Sequence, residues 1–398
     1  MWIDLGVGQP QDAILPVGLM ARAMTAAVAA RQSNPLQYGA ERGGGQLRST
    51  LADFLAARYR TPVVVEQLLI SNGNSQAIDL CCAAFTRPGD VVFVEEPTYF
   101  LALQIFADHG LRVVGIPVDD DGLRIDTLEA ELAYHSPRLV YTIPTGQNPT
   151  GSSMPAERRR QLVELANERG FLVLADEVYQ LLDYSGSPPE PLAAQVDSGV
   201  VLSLGTFSKI LAPGLRLGWI QAREELLDVL AARGQLLSGG GLNPFASAVV
   251  APFLADGSVV GYLDLDDLRG TLHRRLVAMD EALSAHVPPG VTYRCPQAGY
   301  FFWLKFPEEV ETAAVRPAAL AAGVGFQPGP VFSTRDAQAN CLASANLDGH
   351  RHRSGARPPK WIRRSTRLCN IRIRGQCALR RARSVDLLGL AVVGRLLR

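Results

Sequence analysis

Five short runs of almost unbroken apolar residues constrain this 398-residue chain more than any other feature: Leu68-Leu69-Ile70, Val91-Val92-Phe93-Val94, Leu139-Val140-Tyr141-Thr142-Ile143, Phe171-Leu172-Val173-Leu174-Ala175 and Val200-Val201-Leu202-Ser203-Leu204. Stretches with helical apolar spacing separate them over residues 35 to 240. A strand with one wet face alternates apolar and polar side chains. Runs this uniform are covered on both faces, which predicts a mostly parallel sheet sandwiched by helices. Open α/β sheets bind ligands beyond the carboxyl ends of their strands. The polar residues that close the runs are therefore where a site is expected: Asn72 to Gln76, Glu95 to Tyr99, Pro144 to Gly151, Asp176 to Tyr179 and Thr206 to Lys209.

The length exceeds what one compact core holds, and 47% apolar residues are enough to fill two. Helices are predicted over residues 222–237 and 263–286, the second as a long connector to a smaller domain. Tyr300-Phe301-Phe302-Trp303-Leu304 reads as a buried strand of that smaller domain.

Formal net charge is zero, yet residues 349–398 hold thirteen Arg and one Lys against Asp386 alone, a balance of +13, which leaves −13 for residues 1–348. The net charge of zero by itself suggests neither a nucleic-acid nor a membrane partner, but it hides an acidic body and a basic tail. The cysteines, Cys81, Cys82, Cys295, Cys341, Cys369 and Cys377, lack the paired spacing of a zinc site, so reduced thiols and no metal are expected. Met1 to Gly6 shows no basic region leading into an apolar run, and no stretch reaches the roughly 18 apolar residues of a membrane span. The expected compartment is the cytoplasm.

Lys209 lies among hydroxyls in Ser203-Leu204-Gly205-Thr206-Phe207-Ser208-Lys209, seven residues before Arg216 and thirty-three after Asp176. Pyridoxal 5′-phosphate (PLP) needs an amine for a Schiff base with its aldehyde. Its phosphate needs cationic and hydroxyl donors, and its pyridine nitrogen needs a carboxylate. Each element alone has an ordinary explanation: a solvated lysine, an Asp176 helix cap, a turn at Asn148-Pro149-Thr150-Gly151, a cap at Gly73-Asn74-Ser75-Gln76. Their recurrence at successive strand ends is hard to explain separately.

With Asn148-Pro149-Thr150-Gly151, Asp176-Glu177-Val178-Tyr179, and Ser208-Lys209 followed by Pro213-Gly214-Leu215-Arg216-Leu217-Gly218-Trp219, the chain resembles the class I/II aminotransferases, PLP-dependent enzymes of fold type I. Thr145-Gly146-Gln147 before the first motif is most like the 2-aminoadipate-type enzymes and the aminotransferase-like domains of winged-helix regulators. The resemblance covers about residues 2 to 345. It implies a mostly parallel seven-stranded sheet in a large domain over 35–262. A smaller α+β domain would be formed by 263–345 with residues 1–34, leaving the tail 346–398 apart.

The resemblance also implies roles. Lys209 would hold the cofactor and move the substrate proton, Asp176 would pair with the pyridine nitrogen, and Asn148 and Tyr179 would donate to the ring's phenolic oxygen. Tyr99 would stack on the ring. Asn74, Ser75, Thr206, Ser208 and Arg216 would form the phosphate cup, joined by Tyr38 from a neighbouring subunit of a homodimer. Gly8, in Gly6-Val7-Gly8-Gln9-Pro10, would approach the substrate or simply form a tight loop. The substrates would be an α-amino acid and a 2-oxo acid. Another PLP reaction such as β-elimination stays open, as does a non-catalytic effector-binding module. Against the module, residue 1 already begins the enzyme-like part.

One departure stands out. The family clamps the substrate carboxylate with an arginine in a pattern like Asn-x-hydrophobic-Arg-Leu-Ser-Phe, where this chain has Asn340-Cys341-Leu342-Ala343-Ser344-Ala345. A guanidinium orients a carboxylate as no serine can, so turnover is expected to suffer. Beyond it, Gly355 and Pro358-Pro359 break helical chemistry among scattered arginines. Two readings remain: a shift of reading frame between about 342 and 349, or a genuine basic tail that binds nucleic acid or acidic lipid.

Overall fold

The structure is a computed structural model, and it describes residues 3–29, 35–254 and 263–345. The tail 346–398, with its reading-frame question, Cys369 and Cys377, lies outside the described residues.

All five apolar runs form strands of one large sheet, in the order Leu68–Ser71, Gly218–Ala222, Val201–Thr206, Leu172–Asp176, Pro137–Thr142, Val91–Glu96, Arg112–Asp119 and Gly122–Leu123. From Val201–Thr206 through Arg112–Asp119 every pairing is parallel. Gly218–Ala222 runs antiparallel to both neighbours. The two-residue strand Gly122–Leu123 folds back on the edge and adds a short eighth strand to the expected seven.

The uniform runs follow from the packing. Val92 and Val94 enter one apolar cluster while Val91 and Phe93 enter another on the opposite face. Each fully buried side chain of this kind is worth about 1.5–3 kcal/mol relative to exposure, so neither face tolerates a polar alternation. Arg112–Asp119, by contrast, begins and ends in exposed residues and leaves no such run. Gly218–Ala222 is fully buried but short, and Gly218 approaches the next strand so closely that a Cβ would stand 2.6 Å from the Gly205 carbonyl oxygen.

A second, smaller sheet is antiparallel, in the order Thr292–Tyr293, Phe301–Lys305, Cys341–Ala345 and Gln327–Pro328. Its core joins Phe302, Leu304 and Leu342 to Leu276, Met279 and Leu283 of the helix Leu265–His286. That helix starts where Asp264 accepts from the N–H groups of Asp266 and Asp267. Ile3–Asp4 pairs with Val324–Gly325, which ties the N-terminal segment to this smaller body.

The single helix expected over 222–237 is instead two, Glu224–Ala231 and Gly234–Gly239. Arg233 is extended between them (φ −70°, ψ 138°), and Gly234, a poor helix-interior residue, starts the second. Cys81, Cys82, Cys295 and Cys341 are free thiols. Among the described residues no helix is long and apolar enough to cross a membrane.

Candidate active site

A cavity of about 350 Å³ opens at the carboxyl ends of the parallel strands. Gly8, Asn74, Ser75, Tyr99, Asn148, Asp176, Tyr179, Thr206, Ser208, Lys209 and Arg216 all line it. Of the residues singled out in the sequence only Tyr38 stands apart, 83% exposed on the surface.

Asp176 ends the strand Leu172–Asp176 and is only 3% exposed. Its carboxylate accepts from Asn74 Nδ2 at 2.5 Å and from the Tyr141 hydroxyl at 2.7 Å. Burial pushes its pKa up to about 6, against the lowering effect of those two bonds and of the Lys209 charge. Asn74 turns its amide toward Asp176, and it lines the cavity together with Ser75, which is exposed in the same first helical turn.

Lys209 Nζ donates to the Gly8 carbonyl at 2.5 Å and lies 5.9 Å from the centre of the Tyr300 ring. Burial lowers its pKa to about 8; Asp176 opposes that shift and Arg216 adds to it. Tyr300 returns a hydrogen bond to the Lys209 carbonyl at 2.8 Å and meets Tyr179 edge to face, with ring centres 5.6 Å apart.

Donors converge at the other end. Thr206 Oγ1 bonds Ser208 Oγ at 3.0 Å and accepts from the Ser208 N–H at 3.1 Å. The helix Asn74–Phe85 begins beside them behind Gly73, whose φ of 80° suits glycine. A Cβ on Gly73 would stand 2.9 Å from Arg216 Nη2. The Arg216 guanidinium donates to the carbonyls of Pro213 at 3.3 Å and Asn72 at 3.4 Å, while the Arg216 carbonyl accepts from Asn243 Nδ2 at 2.7 Å.

A polar layer lies beneath the site. Gln147 Nε2 donates to Glu95 Oε2 at 3.0 Å and to the Pro97 carbonyl at 2.8 Å, and its Oε1 accepts from the Thr150 N–H and hydroxyl, each at 2.8 Å. Four bonds from one amide fix the turn that carries Asn148. Glu95 accepts as well from Thr142 Oγ1 and the Ile143 N–H, and burial raises its pKa to about 7. Glu177 turns away from the cavity to hold the N–H groups of Leu192 and Ala193 and the Ser203 hydroxyl.

Sequence reasoning missed Tyr141 and the aromatic wall of Phe100, Phe301 and Phe332, and it placed Glu95 at a strand end without giving it a role. Tyr141 had a signal: a hydroxyl inside a buried apolar strand has to find a partner. The stretch without the family's carboxylate arginine forms the strand Cys341–Ala345. Ala343 and Ala345 pack into the same cluster as Phe301 and Phe332, while Leu342 faces the other core. Methyl groups therefore occupy the cavity-side face of that strand.

A mostly parallel sheet that gathers a half-buried lysine, a buried acid and a set of phosphate-binding donor types at its strand ends is the layout of fold type I PLP enzymes. The family described as Aminotransferase class I and II matches residues 1–342, and the chain belongs to it. It is 37% identical over 337 residues to the aromatic-amino-acid aminotransferase 1 of Thermococcus litoralis, covering 83% of this chain and 80% of that protein. The multiple substrate aminotransferase from Thermococcus profundus superposes with a TM-score of 0.80 at 34% identity, over 86% of each chain. LysN, the alpha-aminoadipate aminotransferase of Thermus thermophilus complexed with N-(5′-phosphopyridoxyl)-L-leucine, gives a TM-score of 0.80 at 27% identity, over 100% of this chain and 91% of that one.

Proposed function

We propose that this chain binds PLP and moves an amino group between an α-amino acid and a 2-oxo acid. One observation carries the reading: Lys209 Nζ, the Asp176 carboxylate and the donors Ser75, Thr206, Ser208 and Arg216 line a single cavity. The residues fit the cofactor. Asn148 lines the cavity with its acceptor Oδ1 buried and unpartnered, so that oxygen does not tie the amide to the protein, and a guanidinium with hydroxyls and a helix N-terminus suits a dianion.

Bound PLP supplies an aldehyde and an electron-accepting ring. Around it, Lys209 provides an amine that loses its proton near pH 8 and is thus able to carry the substrate's α-proton. Asp176, ionised at neutral pH, holds a proton on the ring nitrogen, and Tyr141 and Asn74 fix the direction of its carboxylate. Asn148 and Tyr179 would donate to the phenolic oxygen, and Tyr99 would pack on the ring face. The expected homodimer brings Tyr38 of a second copy to the phosphate, in keeping with its exposure here.

Addition of PLP to the purified chain is expected to produce visible absorbance, which an amino acid bleaches and a 2-oxo acid restores. Ammonia release in place of that cycle would indicate a lyase. A spectrum that no amino acid alters would indicate a binding module.

A further inference from the structure

One turn of the smaller body is fastened to the large sheet by contacts that the cofactor chemistry does not use. It runs from Gly329–Phe332 to Arg335. Thr334 donates to Glu96 Oε2 twice, from its N–H at 2.7 Å and its hydroxyl at 2.6 Å. Arg335 donates to the Gly115 carbonyl, and the Thr98 N–H donates to the Phe332 carbonyl at 2.9 Å. Glu96 closes the strand Val91–Glu96 and is 8% exposed. The sheet is shaped for the contact: a Cβ on Gly115 would stand 2.5 Å from Thr334 Oγ1 and 2.8 Å from Glu96 Oε2. Glycine inside a strand weakens it and marks close approach of another group, here the Thr334 hydroxyl.

The contact fixes an aromatic ring over the cavity. Phe332 is 1% exposed and meets Phe100 at 5.4 Å and Trp303 at 5.6 Å between ring centres, edge to face in both cases. It lines the cavity together with Val7, Phe100, Leu101 and Phe301. Phe301 packs so closely on Gly8, the acceptor of Lys209 Nζ, that a Cβ there would lie 2.4 Å from its Cζ. Phe301, one member of the apolar wall, is therefore beside the loop that holds the amine. Among the described residues the only ionisable lysine, arginine or carboxylate groups lining the cavity are Asp176, Lys209 and Arg216, so a charged substrate side chain would meet no counter-charge beyond those three.

We propose that Phe332 is the specificity-determining residue of this site, held in place by the positioning pair Glu96 and Thr334, so that the site selects amino donors with an apolar, aromatic-sized side chain. The assignment rests on the aminotransferase reading. Burying a phenyl group against such a wall favours L-phenylalanine over L-glutamate by at least about tenfold.

The test titrates both amino acids into the PLP-loaded full chain and follows the visible absorbance. Phe332→Ala is expected to lower the preference for phenylalanine about tenfold. Thr334→Val and Gly115→Ala are expected to lower it as well, although neither residue lines the cavity, while Thr334→Ser keeps it. A general structural defect would weaken both donors alike and leave their ratio intact. A second readout needs no cofactor: in the apo protein, hydrogen exchange at the Thr98 N–H should accelerate in Thr334→Val and Gly115→Ala and stay slow in Thr334→Ser. Glutamate preferred by the unmodified chain, no response to either donor, or a ratio unmoved by Phe332→Ala overturns the specificity. Unchanged Thr98 exchange in both other variants overturns the positioning pair. Absence of any visible band with PLP defeats the cofactor reading instead, and the exchange result still judges the contact.

Discussion

The Gly8 carbonyl accepts from Lys209 Nζ at 2.5 Å, joining residues 201 positions apart at the centre of the cavity. Glycine is needed there because the Phe301 ring occupies the space a Cβ would take. Gly8→Ala must push the ring or the loop aside, a rearrangement that costs about 1–3 kcal/mol. The expected result is a lower melting temperature with PLP affinity largely kept, since the phosphate donors are untouched. An unchanged melting temperature would show that the loop is freer than this packing implies.

The Lys209 amine should react with aldehydes in a pH-dependent way. Its pKa is lowered to about 8, so the neutral, nucleophilic form grows roughly tenfold per pH unit below that point and levels off above it. Borohydride trapping followed by peptide mapping should place the label on Lys209 with this profile, and Lys209→Ala should abolish the visible band. The linkage has the matching sign. Because the ordinary pKa is 10.5, the unfolded chain binds more protons between pH 8 and 10.5, and stability contributed by this group rises with pH across that window. Label on a different lysine would refute the assignment.

Asp176 should trade stability for chemistry. Its pKa is about 6 against an ordinary 3.8, so the folded chain holds an extra proton in that interval, and stability is lost as pH rises through it. The loss is complete at neutral pH. Asp176→Asn in the cofactor-free protein is therefore expected to stabilise it at pH 7.5 by about 1–3 kcal/mol. Asn74 Oδ1, buried without a partner, is at hand to accept from the new amide once its own amide turns over. With PLP the same variant should slow proton abstraction by orders of magnitude. Near-normal single-turnover rates would remove Asp176 from its role.

Amino-acid binding should be weak while PLP binding is normal. Every proposed cofactor group lies before residue 220, whereas the strand Cys341–Ala345 presents Ala343 and Ala345 where the family's pattern has an arginine. Loss of a buried charge-assisted pair typically costs about 2–5 kcal/mol, roughly a 30-fold to several-thousand-fold drop in affinity. Amino donors assayed with 2-oxoglutarate and pyruvate should accordingly give weak turnover, and a frame-corrected chain that restores an arginine near position 343 should gain it. Ordinary Michaelis constants that Arg351→Ala and Arg353→Ala do not alter would overturn this account.

Much of the molecule was legible in advance because its information is local. Uniform apolar runs mark strands buried on both faces, and the polar residues after them reach the cavity because strand ends converge there. The helix expected over 263–286 forms as Leu265–His286. The two helices found over 224–239 were merged in prospect because one apolar stripe nearly continues through Arg233, and backbone geometry at a single residue breaks it. Arg112–Asp119 escaped notice because its exposed ends dilute the apolar signal.

Pairings at a distance needed the fold. The resemblance places Asn74 at the phosphate, and nothing near it in the chain signals that its amide meets Asp176, 102 residues on. Tyr141 on Asp176, Gly8 on Lys209 and Thr334 on Glu96 have the same character. A residue's type and its neighbours in the chain state what a side chain is able to bond, and they fix strand, turn and helix start through steric and capping preferences acting within a few residues. The choice of partner is made when loops close. The entropy of closure changes only slowly with loop length, so sequence spacing holds almost no trace of which buried donor will meet which acceptor; packing decides it, because no polar group can be left dry and unpaired without a penalty.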